Sequence, residues 1–180
     1  MVYYNKDTNC KLRDLKFEDL LLIKDWRNEQ IDILRQNKKL TDDDQKKYWD
    51  KISNSDTEKL FAIEDKSGKL IGYGGFVNLD MKYRKAEISF LLKTEIKEDS
   101  DQHVVVFSET LKFLIAYGFR ELFLNRIYTE TYEFRKKHMD VLENLKFKKE
   151  GILRENIIKN GNFFNSIIHS IIIKDLNYEK

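Results

Sequence analysis

The chain is 180 residues long with a formal net charge of +2, one cysteine and no proline. That length holds a sizeable core, the balanced charge gives no field that would gather nucleic acid or another polyanion, and one thiol excludes an internal disulfide. The expectation is one domain over residues 1–180 in the cytoplasm: the opening Met1 to Asp7 is too polar for a secretion signal, and no apolar run approaches the roughly 20 residues of a membrane span.

Lys11-Leu12-Arg13 reads as a short strand leading into a helix in which Leu21, Leu22, Ile23 and Trp26 lie on or beside one face. Polar Asn28, Glu29 and Gln30 end it, and Ile31, Ile33 and Leu34 suggest a short second helical piece. Thr41 before Asp42, Asp43 and Asp44 is a helix start, since the hydroxyl accepts from a free N–H and carboxylates suit the positive helix end. That helix is predicted through Tyr48, Trp49 and Ile52 to about Ser53. The period then changes: Leu60 to Ile63 is a strand, Asp65 to Lys69 a turn, and Leu70 to Val77 the returning strand of a hairpin. Gly72, Gly74 and Gly75 mark either a bulge or a place where something approaches the backbone closely. Lys85 to Leu92 is a third antiparallel neighbour.

After the acidic loop of Glu98, Asp99 and Asp101, apolar Val104, Phe107, Leu111, Leu114 and Ile115 recur at helical spacing, with Gly118 placed as a C-terminal cap. Val104-Val105-Val106 leaves open whether that segment begins as helix or strand. Arg126 to Tyr132 alternates as a strand, and Met139, Leu142 and Leu145 give a further helix its buried face. Strands around Phe147 to Ile158 and Phe164 to Ile173 meet at an Asn160-Gly161 turn, and the tail from Asn177 is expected to fray. The sum is an α/β (α+β) fold: a mixed, largely antiparallel sheet of about six to seven strands with helices on both faces.

The organising unit is the strand ending at Leu92, the helix that crosses over to Gly118, and the strand from Arg126. Two parallel strands joined in this way leave a crevice at their carboxyl ends that favours ligands. No His and carboxylate cluster at metal spacing, no Ser-His-Asp set and no Walker loop is present, and the lone Cys10 reads as incidental.

The order of elements, with Ala86-Glu87-Ile88-Ser89-Phe90-Leu91-Leu92, the run Leu145 to Glu155 containing Glu150-Gly151-Ile152-Leu153-Arg154, and the Asn-Gly hairpin, resembles the GCN5-related (GNAT) N-acetyltransferases from about Leu12 to Lys174. The likeness is greatest to the branch holding ribosomal-protein, spermidine and amino-sugar acetyltransferases. It implies a GNAT fold with a splayed parallel pair, acetyl-CoA as acyl donor and a small-molecule amine as acceptor, and it leaves a homodimer open. It also implies that backbone groups of Phe90, Leu91 and Leu92 bind pantetheine and polarise the carbonyl, and that Gln102, His103 and Val104 stand in the phosphate loop. In the family that loop reads Gln or Arg, two residues, Gly, one residue, then Gly or Ala; here neither glycine is present, although a helix start still offers N–H groups. In the later helix Arg135, His138 and Leu142 replace the family's Asn, Ser and acid Tyr. Arg135 and His138 are candidates for contacting phosphate or pantetheine, against a solvated basic face shared with Lys136 and Lys137.

Acyl transfer to an amine needs a proton removed from the nitrogen, a donor for the developing oxyanion and a tolerated thiolate. Glu87 is the first candidate base, directly or through water, against an ordinary cross-strand ion pair; Glu130 is the second. Tyr132 and His138 are candidate acids, with His138 expected to titrate near neutrality. Trp26-Arg27-Asn28 resembles the tripeptide found here in acetyltransferases of nucleotide-linked amino sugars, which implies Arg27 on a diphosphate and Asn28 on a hydroxyl. The alternative is a buried Trp26, a capping Asn28 and an exposed Arg27. Arg35, Tyr73 and His169 complete the acceptor side. The leading acceptor is a nucleotide-linked amino sugar of surface glycan synthesis; the alternatives are a polyamine, with Asp42, Asp43 and Asp44 as its acidic lining, a protein N-terminus, or a binding module without cofactor.

Overall fold

The computed structural model describes residues 2–3, 8–98 and 100–176; Asp99 and the tail from Asn177 lie outside the described residues. In chain order the strands are β1 (Val2–Tyr3), β2 (Cys10–Asp14), β3 (Lys59–Asp65), β4 (Leu70–Asp80), β5 (Lys85–Leu92), β6 (Arg126–Tyr132), β7 (Lys148–Lys159) and β8 (Asn162–Ile172). The helices are α1 (Phe17–Glu29), α2 (Asp42–Ile52), α3 (Asp101–Arg120) and α4 (Lys136–Asn144), with single 3₁₀ turns at Ile31–Ile33 and Ile173–Leu176. The strands make one mixed sheet in the order β1-β2-β3-β4-β5-β6-β8-β7, in which β5–β6 is the parallel pair. The two-residue β1 takes the sheet past the expected strand number.

Side chains alternate between two cores, as the two-residue period of a strand dictates. Phe61 and Ile63 of β3, Phe76 of β4, Ile88 of β5 and Ile127 of β6 join Phe107, Leu111 and Leu114 of α3 and Leu142 of α4 in the larger one. Leu60, Tyr73 and Leu91 point the other way, onto Leu20 and Ile23 of α1, with Trp26, Tyr48 and Trp49 packed at the margin. Helices therefore cover both faces.

Three local expectations resolve differently from the pattern alone. Val104 to Val106 are helical, because α3 begins at Asp101 with the Ser100 hydroxyl accepting from His103 N–H. Gly118 is no cap: α3 continues to Arg120, and a Cβ at Gly118 would stand 2.8 Å from Ile127 Cδ1 and 3.0 Å from Phe76 Cζ, so its role is to let the helix seat on the sheet. In β4 the body approaching the glycines is the neighbouring strand. Gly75 has φ +157° and a Cβ there would meet the Lys59 carbonyl oxygen at 2.2 Å.

The feature that positions a site is where pairing stops. β5 and β6 pair at Lys85↔Arg126, Ala86↔Ile127 and Glu87↔Tyr128 and no further. Beyond that point β5 stays on β4 as far as Leu92↔Gly72, while β6 stays on β8 as far as Tyr132↔Ser166. The two strands part, and a wedge opens through the middle of the sheet. No helix among the described residues is long and apolar enough to cross a membrane.

Candidate active site

The wedge holds a cavity of about 140 Å³ whose walls come from both sides of the sheet. Ile88, Ser89 and Phe90 form the β5 wall and Thr129, Glu130 and Tyr132 the β6 wall; Arg27 and Arg35 lie over the α1 side, and Phe107, Arg135 and His138 under the α3–α4 side. The end of α1, the 34–40 loop and the start of α4 thus bring three guanidinium groups to one opening.

Glu87 sits at the last paired position, with its side chain turned to the α1 face and only 5% exposed. Its Oε1 is held by Arg35 and its Oε2 accepts from Asn78 Nδ2 at 2.9 Å. Arg35 also stands 3.6 Å from Glu130 Oε2, and Glu130 Oε1 accepts from Asn156 Nδ2 at 2.9 Å. One guanidinium therefore bridges both candidate bases. Tyr132 is buried in the same wall, and burial raises its phenol above the ordinary value, so the proton stays on oxygen at neutral pH.

His138 is a correction. It is 5% exposed, stacked on Phe107 at 3.7 Å between ring centroids, and its Nδ1 has no hydrogen-bond partner among the described residues. Burial, aided by the nearby Arg135, pushes its pKa well below the usual imidazole range, so it does not titrate near neutrality as the sequence suggested. Of the two candidate acids, Tyr132 is the one that carries a proton at pH 7.

The expected cofactor residues divide. Lys93 N–H bonds Ile71 O on β4, so by strand alternation Leu91 also faces β4, while Phe90 and Leu92 turn their backbone groups towards the wedge. Leu92 O already accepts from Gln30 Nε2 at 2.8 Å. The place expected of a phosphate loop is instead the first two turns of α3. His103 is buried and contacts Phe90 and His138, Val104 is half-buried against the core, and Gln102 is exposed on the far side of the helix, in a separate cavity with Asn9 and Asp65. Arg135 turns inward and is ion-paired to Glu98, whereas Lys136 and Lys137 are exposed. Together with Phe90, Leu92 and His103 that ion pair lines a constriction of about 10 Å³ alongside β5.

On the acceptor side the tripeptide is split by helix geometry, since consecutive helical residues point about 100° apart. Arg27 reaches the wedge, donating to Gln36 Oε1 and to the Tyr73 hydroxyl, both neutral. Trp26 packs in the smaller core. Asn28 pins the 34–40 loop, accepting from Leu40 N–H at 2.7 Å and from Gln36 Nε2 at 3.0 Å and donating to Leu40 O at 2.9 Å, so it is a clamp whose side-chain oxygen is fully engaged. Tyr73 lies under Arg27, in a second cavity of about 230 Å³ between α1, α2 and β4 that shares Arg27 with the wedge. His169 is buried on β8 with Nε2 3.7 Å from Glu143 Oε1 and does not line the wedge. Asp44 is tied into the α2 cap by Thr41, which holds its carboxyl down at about 2, and Asp42 and Asp43 are exposed; none of the three lines the wedge, but Asp44 lines the second cavity with Arg27 and Tyr73. Cys10 is buried against Glu109, and burial pushes its thiol up to about 12, so it is inert.

Residues that the sequence pattern did not single out are Asn78, Gln30, Ser89 and Thr129. The one available signal was Asn78, a polar residue at φ +51° interrupting an apolar strand.

Residues 12–168 match the family model described as the acetyltransferase (GNAT) domain. The N-acetyltransferase YoaA of Bacillus subtilis is 31% identical over 113 residues, which cover 62% of this chain and 61% of that protein, so the chain spans about three-fifths of that relative's length. N-acetyltransferase p20 of Bacillus licheniformis is 25% identical over 170 residues, 91% of this chain and 93% of that one. In architecture the chain superposes with TM-score 0.84 on the spermidine N-acetyltransferase of Vibrio cholerae in complex with CoA and spermine, at 22% identity and covering 94% of this chain and 99% of that one. A dodecameric structure of the Vibrio cholerae enzyme gives TM-score 0.81 at 21% identity, over 94% and 97% of the two chains. At those identities the likeness is one of fold. With a matching domain over most of its length and the parted parallel strands in place, the chain belongs to the GNAT acetyltransferase family.

Proposed function

We propose that the protein is an acetyl-CoA-dependent N-acetyltransferase acting on a small amine. The observation that carries this is the parting of β5 from β6 into a cavity lined by Glu130 and Tyr132, with Glu87 directly behind it on Arg35. An inner strand edge left without a partner suits a ligand with amide groups of its own, as a pantetheine arm has, because Phe90 and Leu92 present backbone groups to the gap. Phe90, Leu92, His103 and Arg135 would hold that arm and its phosphates. Acetyl-CoA supplies the thioester whose acetyl group is transferred. Glu87 takes the proton that the acceptor nitrogen loses, Tyr132 holds its phenolic proton in reach of the departing sulfur, and the walls fix the two reactants in line.

The acceptor reading favoured by the side chains is an amine that also carries an anionic group, with a nucleotide-linked amino sugar leading. Its support is Arg27, a cation at the cavity whose described hydrogen-bond partners are both neutral, beside a second cavity of about 230 Å³ into which the acceptor could extend. A polyamine is the second reading, favoured by the facing carboxylates Glu87 and Glu130 and by the fold shared with the spermidine enzyme. Turnover of a panel holding UDP- and dTDP-linked amino sugars, spermidine and an N-terminal peptide should show the sugar nucleotides as the preferred substrates. Preference for spermidine would select the polyamine reading, and no turnover on the panel together with no acetyl-CoA-induced rise in melting temperature would remove the enzyme reading altogether.

The Glu98–Arg135 pair adds a prediction about the cofactor. The carboxylate neutralises the arginine best placed for phosphate and sets a negative charge beside the start of α3. Glu98→Gln should tighten acetyl-CoA binding by about fivefold, a gain of about 1 kcal/mol, as measured by titration calorimetry at low salt. Unchanged or weaker binding would place the phosphates away from Arg135.

A further inference from the structure

We infer that Arg35 is an internal stand-in for the acceptor's ammonium: its guanidinium occupies the cation subsite between Glu87 and Glu130 and must leave before an amine can be acetylated. The inference rests on the transferase reading of the wedge and adds to it how the acceptor's charge is recognised.

Three observations carry it. Arg35 touches both carboxylates at once, one through Nη2 and the other through Nη1, and these are the two candidate bases of the cavity. Glu87 is 5% exposed and Arg35 already supplies the cation at Oε1, so an incoming ammonium competes with Arg35 for the same buried carboxylate. Asn78 is fixed in the backbone of β4, at the irregularity between the Val77↔Glu87 and Asp80↔Lys85 pairs and beside Leu79, whose N–H bonds Thr57 O, whereas Arg35 is 56% exposed and attached to the loop after the 3₁₀ turn. Of the two partners, Arg35 is the one free to go.

The way out is a rotation of the side chain. The loop backbone is pinned by Asn28 to both Leu40 N and Leu40 O, and Gln36 bridges Asn28 and Arg27, so the loop need not open for the guanidinium to swing into solvent. Exchange of one cation for another leaves the net charge around Glu87 and Glu130 unchanged. An ammonium arriving as Arg35 departs never leaves a buried carboxylate unpaired, which is the costly alternative. A neutral molecule cannot make that exchange, so the subsite selects cationic acceptors whatever the rest of the acceptor carries.

The test is binding of propylammonium, the simplest primary ammonium with a short stem, followed by NMR titration of the full chain, with tetramethylammonium as a control that has no N–H to donate. Arg35→Ala should bind propylammonium about tenfold more tightly than the unaltered chain, because the occupied fraction of the subsite is what weakens the apparent affinity. Arg35→Lys, which restores a cation, should return towards the unaltered value, and Glu87→Gln added to Arg35→Ala should abolish the gain. Arg35→Gln, which keeps an N–H donor for Glu87, carries the same expectation if Arg35→Ala is too unstable to titrate. Equal affinity with and without Arg35, or a gain that survives loss of Glu87, or equal gains for tetramethylammonium, would overturn the inference. Acetyl-CoA is titrated into the same proteins separately: its failure to bind would count against the transferase reading, while the cation exchange stands or falls on propylammonium alone.

Discussion

Glu87→Gln should lower kcat by about 10²- to 10⁴-fold, the range typical of removing a positioned general base, while acetyl-CoA binding stays within about twofold. The glutamine keeps the shape of the side chain, and its carbonyl still accepts from Asn78; what it loses is the ability to take up a proton. Because Arg35 is more than half exposed, freeing it from Glu87 costs the fold little. Glu130→Gln is the necessary comparison, since Glu130 shares Arg35 but lies further along β6 and is fixed by Asn156. Steady-state kinetics on the best acceptor of the panel, with calorimetry for acetyl-CoA, separate the two. A larger loss from Glu130→Gln would move the base to β6, and a normal kcat in both variants would leave acyl transfer to positioning alone.

Stability should fall as the pH drops from about 6.5 to about 4, and the cause is histidine. His103 is wedged between Phe90 and Phe107, and burial, reinforced by Arg135, pushes its pKa down to about 4; His138 is driven in the same direction. An unfolded chain binds protons at these imidazoles from about pH 6.5 downwards, while the folded chain does not, so acid favours unfolding throughout that window. The contribution is fully present above pH 6.5 and is lost as the pH falls through the folded value. For His103 alone the loss by pH 4 is about 3 kcal/mol, or about 10 °C in melting temperature for a chain of this size. The carboxyls of Asp14, Asp44, Asp65 and Asp175, all held below their ordinary value, begin to act only below about pH 5, so the fall between pH 6.5 and pH 5 belongs to the histidines. Melting curves from pH 7 to pH 4 check this, and His103→Gln should flatten them; a melting temperature constant over that range would contradict the buried, neutral histidines.

The strands, helices and crossover were readable because their periods are strong. β5, α3 and β6 each bury one face, and apolar residues at spacings of two or three to four announce it directly. Gly118 misled because a glycine that ends a helix and one that lets a helix sit close to a sheet look alike in one dimension; only Phe76 and Ile127, distant in sequence, distinguish them. Glu87, Glu130 and Tyr132 were legible as residues of the two parting strands. Arg35 was named for the acceptor side, but its bridging of Glu87 and Glu130 was not legible, since it arrives from a loop with no periodic signal. The same holds for Glu98 and Arg135: one read as part of an acidic loop and the other as a candidate for contacting phosphate, whereas the structure joins them in an ion pair. Trp26-Arg27-Asn28 shows the limit most sharply. Three neighbours that looked like one motif end in a core, a cavity and a loop clamp, because a helix sends each in a different direction.

The central claim is that the parted ends of β5 and β6 take up the acyl donor, and amide hydrogen exchange with and without acetyl-CoA tests it most directly. The backbone amides of Phe90 and Leu92 should exchange more slowly once acetyl-CoA is added, with the β7–β8 hairpin unchanged. Saturating acetyl-CoA that leaves β5 exchanging as before, or that slows exchange only outside the wedge, would contradict it.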